Sequence, residues 1–279
     1  MTNFKKLEEN DFENINKYLL TDTTQSCEKV GAALMMWRSF YSTEWAVHDD
    51  TLLIRYKIDG DTEYLTPIGK NPHDAALQIP DAVFVGVCNE DIEKVALPGA
   101  TIIKERDNFD YIYDAEKMRT FAGRALHAKR NFLNRFKNTY KYKYVNDPPK
   151  DELNDFFALI DKKQPHYDET GRAELEETKD VINHRELFHV HTAAIYVDDV
   201  IVAACAGSVV HDVLYVHIEK ADRDYVGSYQ IIVSEFAKNF PDVKFINRED
   251  DLGDDGMRQS KLSYEPIYLL EKNVVINKK

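Results

Sequence analysis

The chain has 279 residues, 43% of them hydrophobic, and a formal net charge of −13 at pH 7. That is enough apolar material for one large core or two smaller ones. No apolar run approaches the roughly eighteen residues of a membrane-crossing helix, and the opening MTNFKKLEENDF lacks the apolar core of a secretion signal, so the expected location is the cytoplasm. Cys27, Cys88 and Cys205 stand far apart in apolar surroundings with no CxxC pair, which predicts buried, reduced thiols.

Residues 11–20 and 27–41 carry apolar positions at helical spacing, with Val30, Leu34, Trp37 and Tyr41 on one stripe. The next stretch, EWAVHDDTLLIRYKIDGDTEYLTPIG, predicts three short strands turning at Asp49-Asp50 and Asp59-Gly60, because Asp and Gly tolerate the positive φ of tight hairpins. A helix at PHDAALQI, an apolar strand over 82–87, a helix over 89–96 and the strands ATIIKE and FDYIYD follow. Helices are then expected over about 115–122, 127–139, 149–163 and 168–186. LFHVHTAAIYVDDVIVAACAGSVVHDVLYVHIEKA gives three more strands, turning at Asp198-Asp199 and near His211-Asp212. A helix from Gly227 to about Asn239, the strand VKFI, a short helix near 254–262 and a final strand PIYLLEK close the chain. Both halves share this element order, and both meanders open on an Asp-Asp turn. Internal duplication is the simplest account, with domains 1–113 and 114–279.

A three-strand meander followed by helix, strand, helix, strand resembles the order of the GNAT acyltransferase fold. The expected class is therefore α/β (α+β): two tandem GNAT-like domains, each a mixed, mostly antiparallel sheet flanked by helices. In such folds the fourth and fifth strands run parallel and splay into a slot for the acyl donor. In the second half, His217 to Lys220 ends the fourth strand and Asn247 to Gly253 ends the fifth, so the charge of NREDDLG falls at the slot. GRALHAKRNFLNRF, VHIEKA and NREDDLGDDGMRQSKLSYEP together resemble the bacterial family named for the C-terminal domain of phosphatidylglycerol lysyltransferase. This resemblance covers nearly the whole chain and implies a tandem GNAT fold like that of transferases that take amino acids from aminoacyl-tRNA. Its best-known members carry a membrane-embedded portion, and the NREDDLG form also belongs to stand-alone members.

Several residues are candidates for chemistry at that slot. Ideal strand alternation puts Glu219 on the same face as His217 and Lys220 on the other, and a carboxylate there suits a general base. Its bland alternative is a salt bridge to Arg248 or Lys261. Glu249 and Asp250 are the other candidate bases, while Asn247, Arg248, His217 and Lys261 are expected to bind the substrate. The same NREDD charges also fit an Arg-carboxylate network capping the next helix. Tyr264 sits between the last short helix and the last strand, where the resemblance to GNAT enzymes implies a proton donor to the leaving group, although with 16 tyrosines packing is the commoner fate. Arg223, Gly227 and Ser228 retain only part of a pyrophosphate-binding turn, which weakens acetyl-CoA as donor, and Ser228 equally suits a helix cap.

The distribution of charge adds a second theme. Acidity overall opposes polyanion binding, yet Lys117 to Lys143 holds nine basic residues and no acidic one. Within it Phe132, Leu133, Phe136 and Tyr140 are expected to face inward, and Arg130, Asn134, Lys137 and Lys141 outward. Lys129, Arg130 and Asn131 would then hold donor phosphates, of tRNA or CoA, against the alternative of a solvated helix paired with the acidic remainder. His189, His191, His217 and Glu219 lack metal-site spacing, so no metal is expected. The resulting expectation is a transferase moving an acyl or aminoacyl group from acyl-CoA or aminoacyl-tRNA to an amine or hydroxyl of a small acceptor. The rival is a non-catalytic metabolite- or RNA-binding protein on the duplicated fold.

Overall fold

The computed structural model describes residues 3–58, 60–163 and 169–277; the expected turn residue Asp59 and position 168, where a helix is expected to begin, lie outside them. Strands β1 (Lys5–Lys6), β2 (Glu44–His48), β3 (Thr51–Ile58), β4 (Asp61–Tyr64), β5 (Ile68–Gly69), β6 (Val83–Cys88) and β7 (Thr101–Lys104) come first, with helices α1 (Phe12–Leu19), α2 (Gly31–Trp37), α3 (Pro72–Leu77) and α4 (Ile92–Val95). Then come β8 (Asp110–Asp114), α5 (Ala115–Thr120), α6 (His127–Thr139), β9 (Tyr142–Asn146), α7 (Lys150–Lys163) and α8 (Glu169–Asn183). The chain ends with β10 (His191–Val197), β11 (Val200–Val210), β12 (Val213–Ala221), α9 (Ser228–Lys238), β13 (Phe245–Asn247), α10 (Asp255–Leu262), β14 (Tyr268–Leu270) and β15 (Lys272–Ile276).

These elements form two compact units. The first contains Met1–Asp110, Asp250–Asp254 and Leu269–Lys279; the second contains Tyr111–Glu249 and Asp255–Tyr268. The first sheet runs β1-β2-β3-β4-β6-β15-β7, with β5 on β3, and the second runs β14-β8-β13-β12-β11-β10-β9. In each, an antiparallel meander is followed by a helix and a parallel strand: β2-β3-β4, α3, β6 in one, and β10-β11-β12, α9, β13 in the other. Both meanders turn on an Asp pair with left-handed backbone, Asp49 and Asp50 at φ 45° and 59°, Asp198 and Asp199 at φ 51° and 62°. Two consecutive positive φ values match the right-handed strand twist of a two-residue hairpin.

The final strands depart from the sequence reading. PIYLLEK is not one strand of the second half: β14 ends at Leu270, and β15 pairs with β6 and β7 in the first sheet. Reciprocally, β13 is followed across the second sheet by β8, from the end of the first half. Strand β9 also escapes the hydrophobic pattern, because an edge strand with alternating Tyr and Lys carries a weak apolar signal.

In the first unit Ala76, Phe84, Val87, Val95 and Val275 form a buried cluster around α3, β6 and β15. In the second, residues 201–208 of β11 are buried on both faces, and α7 and α9 both pack against that strand. A small residue lets α9 come close: a Cβ at Gly207 would lie 3.1 Å from the Phe236 ring of that helix. All three cysteines are free and buried, and burial pushes the Cys88 thiol up to about 12. On α6, Leu133 and Phe136 face inward as expected, whereas Phe132 is 45% exposed. Leu133 and Phe136, with the half-buried Tyr140 packed on the Phe136 ring at 4.9 Å, form the inward stripe and leave Phe132 on the outer side.

Candidate active site

Strands β12 and β13 pair only at Val213, Leu214 and Tyr215 against Phe245, Ile246 and Asn247, while β12 continues to Ala221. Beyond Tyr215 and Asn247 the two are no longer partners, and the charged ends expected at the slot lie there. A bulge sits on the same stretch. Val216 pairs with Gly207 and Ile218 with Ala206, leaving His217 without a partner across the strand. The extra residue interrupts alternation, so the expected shared face of His217 and Glu219 does not follow. Glu219 instead lines the same small cavity as Leu214 and Val216, about 10 Å³ in volume, room for one water.

Two separate pairs result. Arg248 Nη2 donates to both Glu219 oxygens at 3.0 Å. The two side chains are only 12% and 9% exposed. His217 Nδ1 meets Glu249 Oε1 at 2.8 Å and its Nε2 meets Ser208 Oγ at 2.9 Å. Glu249 is held in a left-handed conformation, φ 55°, and its backbone N–H donates to Asn247 Oδ1 at 2.7 Å. Lys261 Nζ donates to the Arg248 carbonyl at 2.7 Å, and Tyr113 Oη donates to the Lys261 carbonyl at 2.8 Å. Lys220, on the strand next to Glu219, pairs with Glu174 of α8.

Tyr264 completes the cluster. Its ring centroid lies 4.7 Å from the Arg248 guanidinium and 4.0 Å from Lys129 Nζ, and its hydroxyl accepts from Gln230 Nε2 at 2.9 Å. Burial, reinforced by Glu219 against the pull of Arg248, pushes the Tyr264 phenol up to about 12, so it keeps its proton at neutral pH. Burial likewise raises Glu219, with Arg248 only partly offsetting the effect. Burial opposes the Arg248 charge, but Glu219 outweighs it and the guanidinium stays ionised. Lys129 is shifted down, by burial first and by Arg248 second.

The remaining candidates have other partners. Asp250 lies in the first unit, where it acts electrostatically on Lys272. Arg130 Nη1 donates to the carbonyls of Phe121 and Gly123 at 2.6 and 3.0 Å, and Asn131 contacts His127 at 3.3 Å. Lys137 pairs with Glu235 at 3.4 Å. Gly227, φ 93°, lies against α6, where an added Cβ would stand 2.3 Å from the Phe132 carbonyl oxygen. Ser228 Oγ donates to the Asp222 carbonyl at 2.9 Å, while Arg223 is exposed and hydrogen-bonds Tyr229.

Sequence reasoning missed Gln230 and Ser208, since nothing in a helix or strand interior marks a polar residue as a partner. It also missed a buried cluster in the first unit. Lys272 Nζ donates to Asp110 Oδ1 and Glu28 Oε1, each at 2.6 Å, and lies 3.4 Å from Cys27 Sγ. Its members come from three distant segments, so no local motif announces them.

The tandem sheets, each with a meander and a parallel strand that leaves it, define the class: a GNAT-like transferase fold. More narrowly, the chain belongs to the family described as phosphatidylglycerol lysyltransferase, C-terminal, whose model matches residues 23–276. A conserved protein of unknown function from Bacteroides thetaiotaomicron is 31% identical, with TM-score 0.87 over 99% of each chain. The C-terminal domain of a putative lysylphosphatidylglycerol synthetase from Agrobacterium fabrum shares the fold at 12% identity, with TM-score 0.71 over 97% of this chain and 92% of that one. An uncharacterized protein of Mycoplasmoides gallisepticum is 27% identical over 173 residues, 60% of this chain, and the match spans 55% of that protein's length. Among the described residues no helix is long and apolar enough to cross a membrane.

Proposed function

We propose that the second unit catalyses transfer of an aminoacyl or acyl group from an activated ester or thioester to an amine or hydroxyl acceptor. The observation that carries this reading is the buried Glu219, Arg248 and Tyr264 cluster beside the point where β12 and β13 part. The acceptor's lone pair attacks the carbonyl carbon, forming the new C–N or C–O bond. Glu219 takes the acceptor's proton, a task that its raised proton affinity suits. As the bond to the leaving oxygen or sulfur breaks, Tyr264 supplies the proton that the leaving group needs. Arg248 holds Glu219 in place, and the His217–Glu249 pair fixes the chain that carries Arg248.

Aminoacyl-tRNA is the donor favoured over acyl-CoA. Family membership supports aminoacyl transfer, and Gly227 and Ser228, the remnants of a pyrophosphate turn, are engaged in packing and in a buried hydrogen bond. Residues 117–143 offer a tRNA the exposed Arg124 and Arg135. The test is transfer of radiolabelled amino acids from a charged tRNA pool, and of acyl groups from acyl-CoA, to a panel of amine and hydroxyl acceptors. Turnover that survives Glu219→Gln and Glu249→Gln would remove the catalytic assignment. Ligand binding with no turnover for any donor would leave the binding-protein alternative.

A further inference from the structure

The two sheets end in the strands β1, β7, β9 and β14, and three of these edges are blunted. β1 is two residues, Lys5 and Lys6, β9 carries the exposed Lys143, and β14 has three residues. Short strands and outward lysines discourage pairing with another chain. β7 lacks that protection. All of Thr101–Lys104 is exposed, Ile102 at 47% and Ile103 at 48%, and the one lysine is already paired, with Glu271 at 2.7 Å. Ile102 stands opposite Val275 and Ile103 opposite Val274, so apolar surface reaches this edge on both faces of the sheet.

The backbone says how a further strand would fit. Glu105 N–H donates to the Lys272 carbonyl at 3.1 Å, so Thr101 and Ile103 also face β15, while Ile102 and Lys104 direct their N–H and C=O groups away from it. Outward residues must meet outward residues, and for a second copy related by a two-fold axis this allows centres at Ile102, Ile103 or Lys104. A centre at Lys104 sets two lysines directly opposite, which is destabilising. A centre at Ile102 pushes Lys104 against Ala100, beyond the strand. A centre at Ile103 exchanges N–H···O bonds at both Ile102–Lys104 pairs, stacks the two Ile103 side chains and sets Glu105 against Thr101. No like charges then face each other. We infer that this protein dimerises through β7, a second copy laying its own β7 antiparallel so that the first sheet continues across a two-fold axis at Ile103. Such an interface is the same patch on both copies and closes on itself, so association stops at two. Because β7 has four residues, the strands bury little area and the dimer is weak and reversible.

Sedimentation equilibrium of the full chain across a wide concentration range tests this, and the average mass is expected to climb from monomer toward dimer. Ile102→Pro removes an outward N–H, a change that an edge strand tolerates, so the bonds to β15 survive. Retained exchange protection of the Val274 amide checks that they do, while the dimer is expected to weaken by about tenfold or more. Ile103→Cys places two thiols opposite each other in a non-hydrogen-bonded pair, about 4.5 Å between Cα atoms, and is expected to give a covalent dimer on mild oxidation. The native cysteines are all buried, and Val200→Cys, at an exposed site in the second unit, is expected to give none. A chain that stays monomeric at every concentration, a dimer indifferent to Ile102→Pro, or cross-linking no faster in Ile103→Cys than in Val200→Cys would each overturn the inference, whatever other extended peptide the edge accepts.

Discussion

Glu219 and Tyr264 divide the proposed chemistry between a proton acceptor and a proton donor, and their burial tunes both in the same direction. Glu219→Gln keeps the side chain's shape and removes the base, so transfer is expected to fall about 10²–10⁴-fold with donor binding retained, read in single-turnover assays. Tyr264→Phe removes the proton and the bond from Gln230, with a similar rate loss and a stability cost of about 0.5–1.5 kcal/mol in urea unfolding. The pH dependence follows from the sign of the Glu219 shift. Its folded pKa lies above the ordinary 4.5, so the base is lost as pH falls through that raised value, and the acid limb of kcat/KM should sit above the usual glutamate range. A limb at or below 4.5 would point to another base. Tyr264 entered only through its position between the last short helix and the last strand, whereas Glu219 and Arg248 were legible as candidates because strand order locates the slot and the charges cluster at its edge. Their pairing was not, since the bulge at His217 shifts every side chain after it and leaves no mark on composition.

At the scale of elements, the contact between α6 and α9 sets where Lys129 stands. Gly227 permits it: its φ of 93° and the 2.3 Å approach of an added Cβ to the Phe132 carbonyl oxygen leave no room for a side chain. Gly227→Ala therefore combines left-handed strain with backbone overlap and is expected to cost at least ~1–3 kcal/mol, seen as a lowered Tm. It should also weaken any ligand that depends on Lys129, because α6 must shift to relieve the overlap. A neutral effect would mean that the α9 N-terminus rearranges freely. The amphipathic period disclosed α6 and its buried Leu133 and Phe136. It gave no warning that Phe132 would be exposed or that Arg130 would be tied to carbonyls, because periodicity fixes a face and not the partners that meet it.

For the whole molecule, the order of elements in each half was readable, and the exchange of their last strands was not. Hydrophobic pattern specifies a strand but carries no address for its neighbour in the sheet. The address for β15 lies partly in a buried charge. Lys272 is 1% exposed, and Asp110, with which it pairs at 2.6 Å, is fully buried. Burial opposes the Lys272 charge, yet Asp110, Cys27, Glu28 and Asp250 outweigh it and hold its pKa well above the ordinary value. Removing only the lysine strands those carboxylates inside the first unit, so Lys272→Met is expected to cost about 3–5 kcal/mol. Asp110→Asn combined with Lys272→Met removes both charges and should recover part of that loss, giving a coupling of at least ~0.5–3 kcal/mol in a double-mutant cycle. Hydrogen exchange locates the effect: in Lys272→Met, protection should fall first in β6, β7 and β15, the strands that β15 ties together. Additive energies with uniform loss of protection would show that the pair is incidental and that apolar packing of Val275 alone holds the last strand in the first sheet.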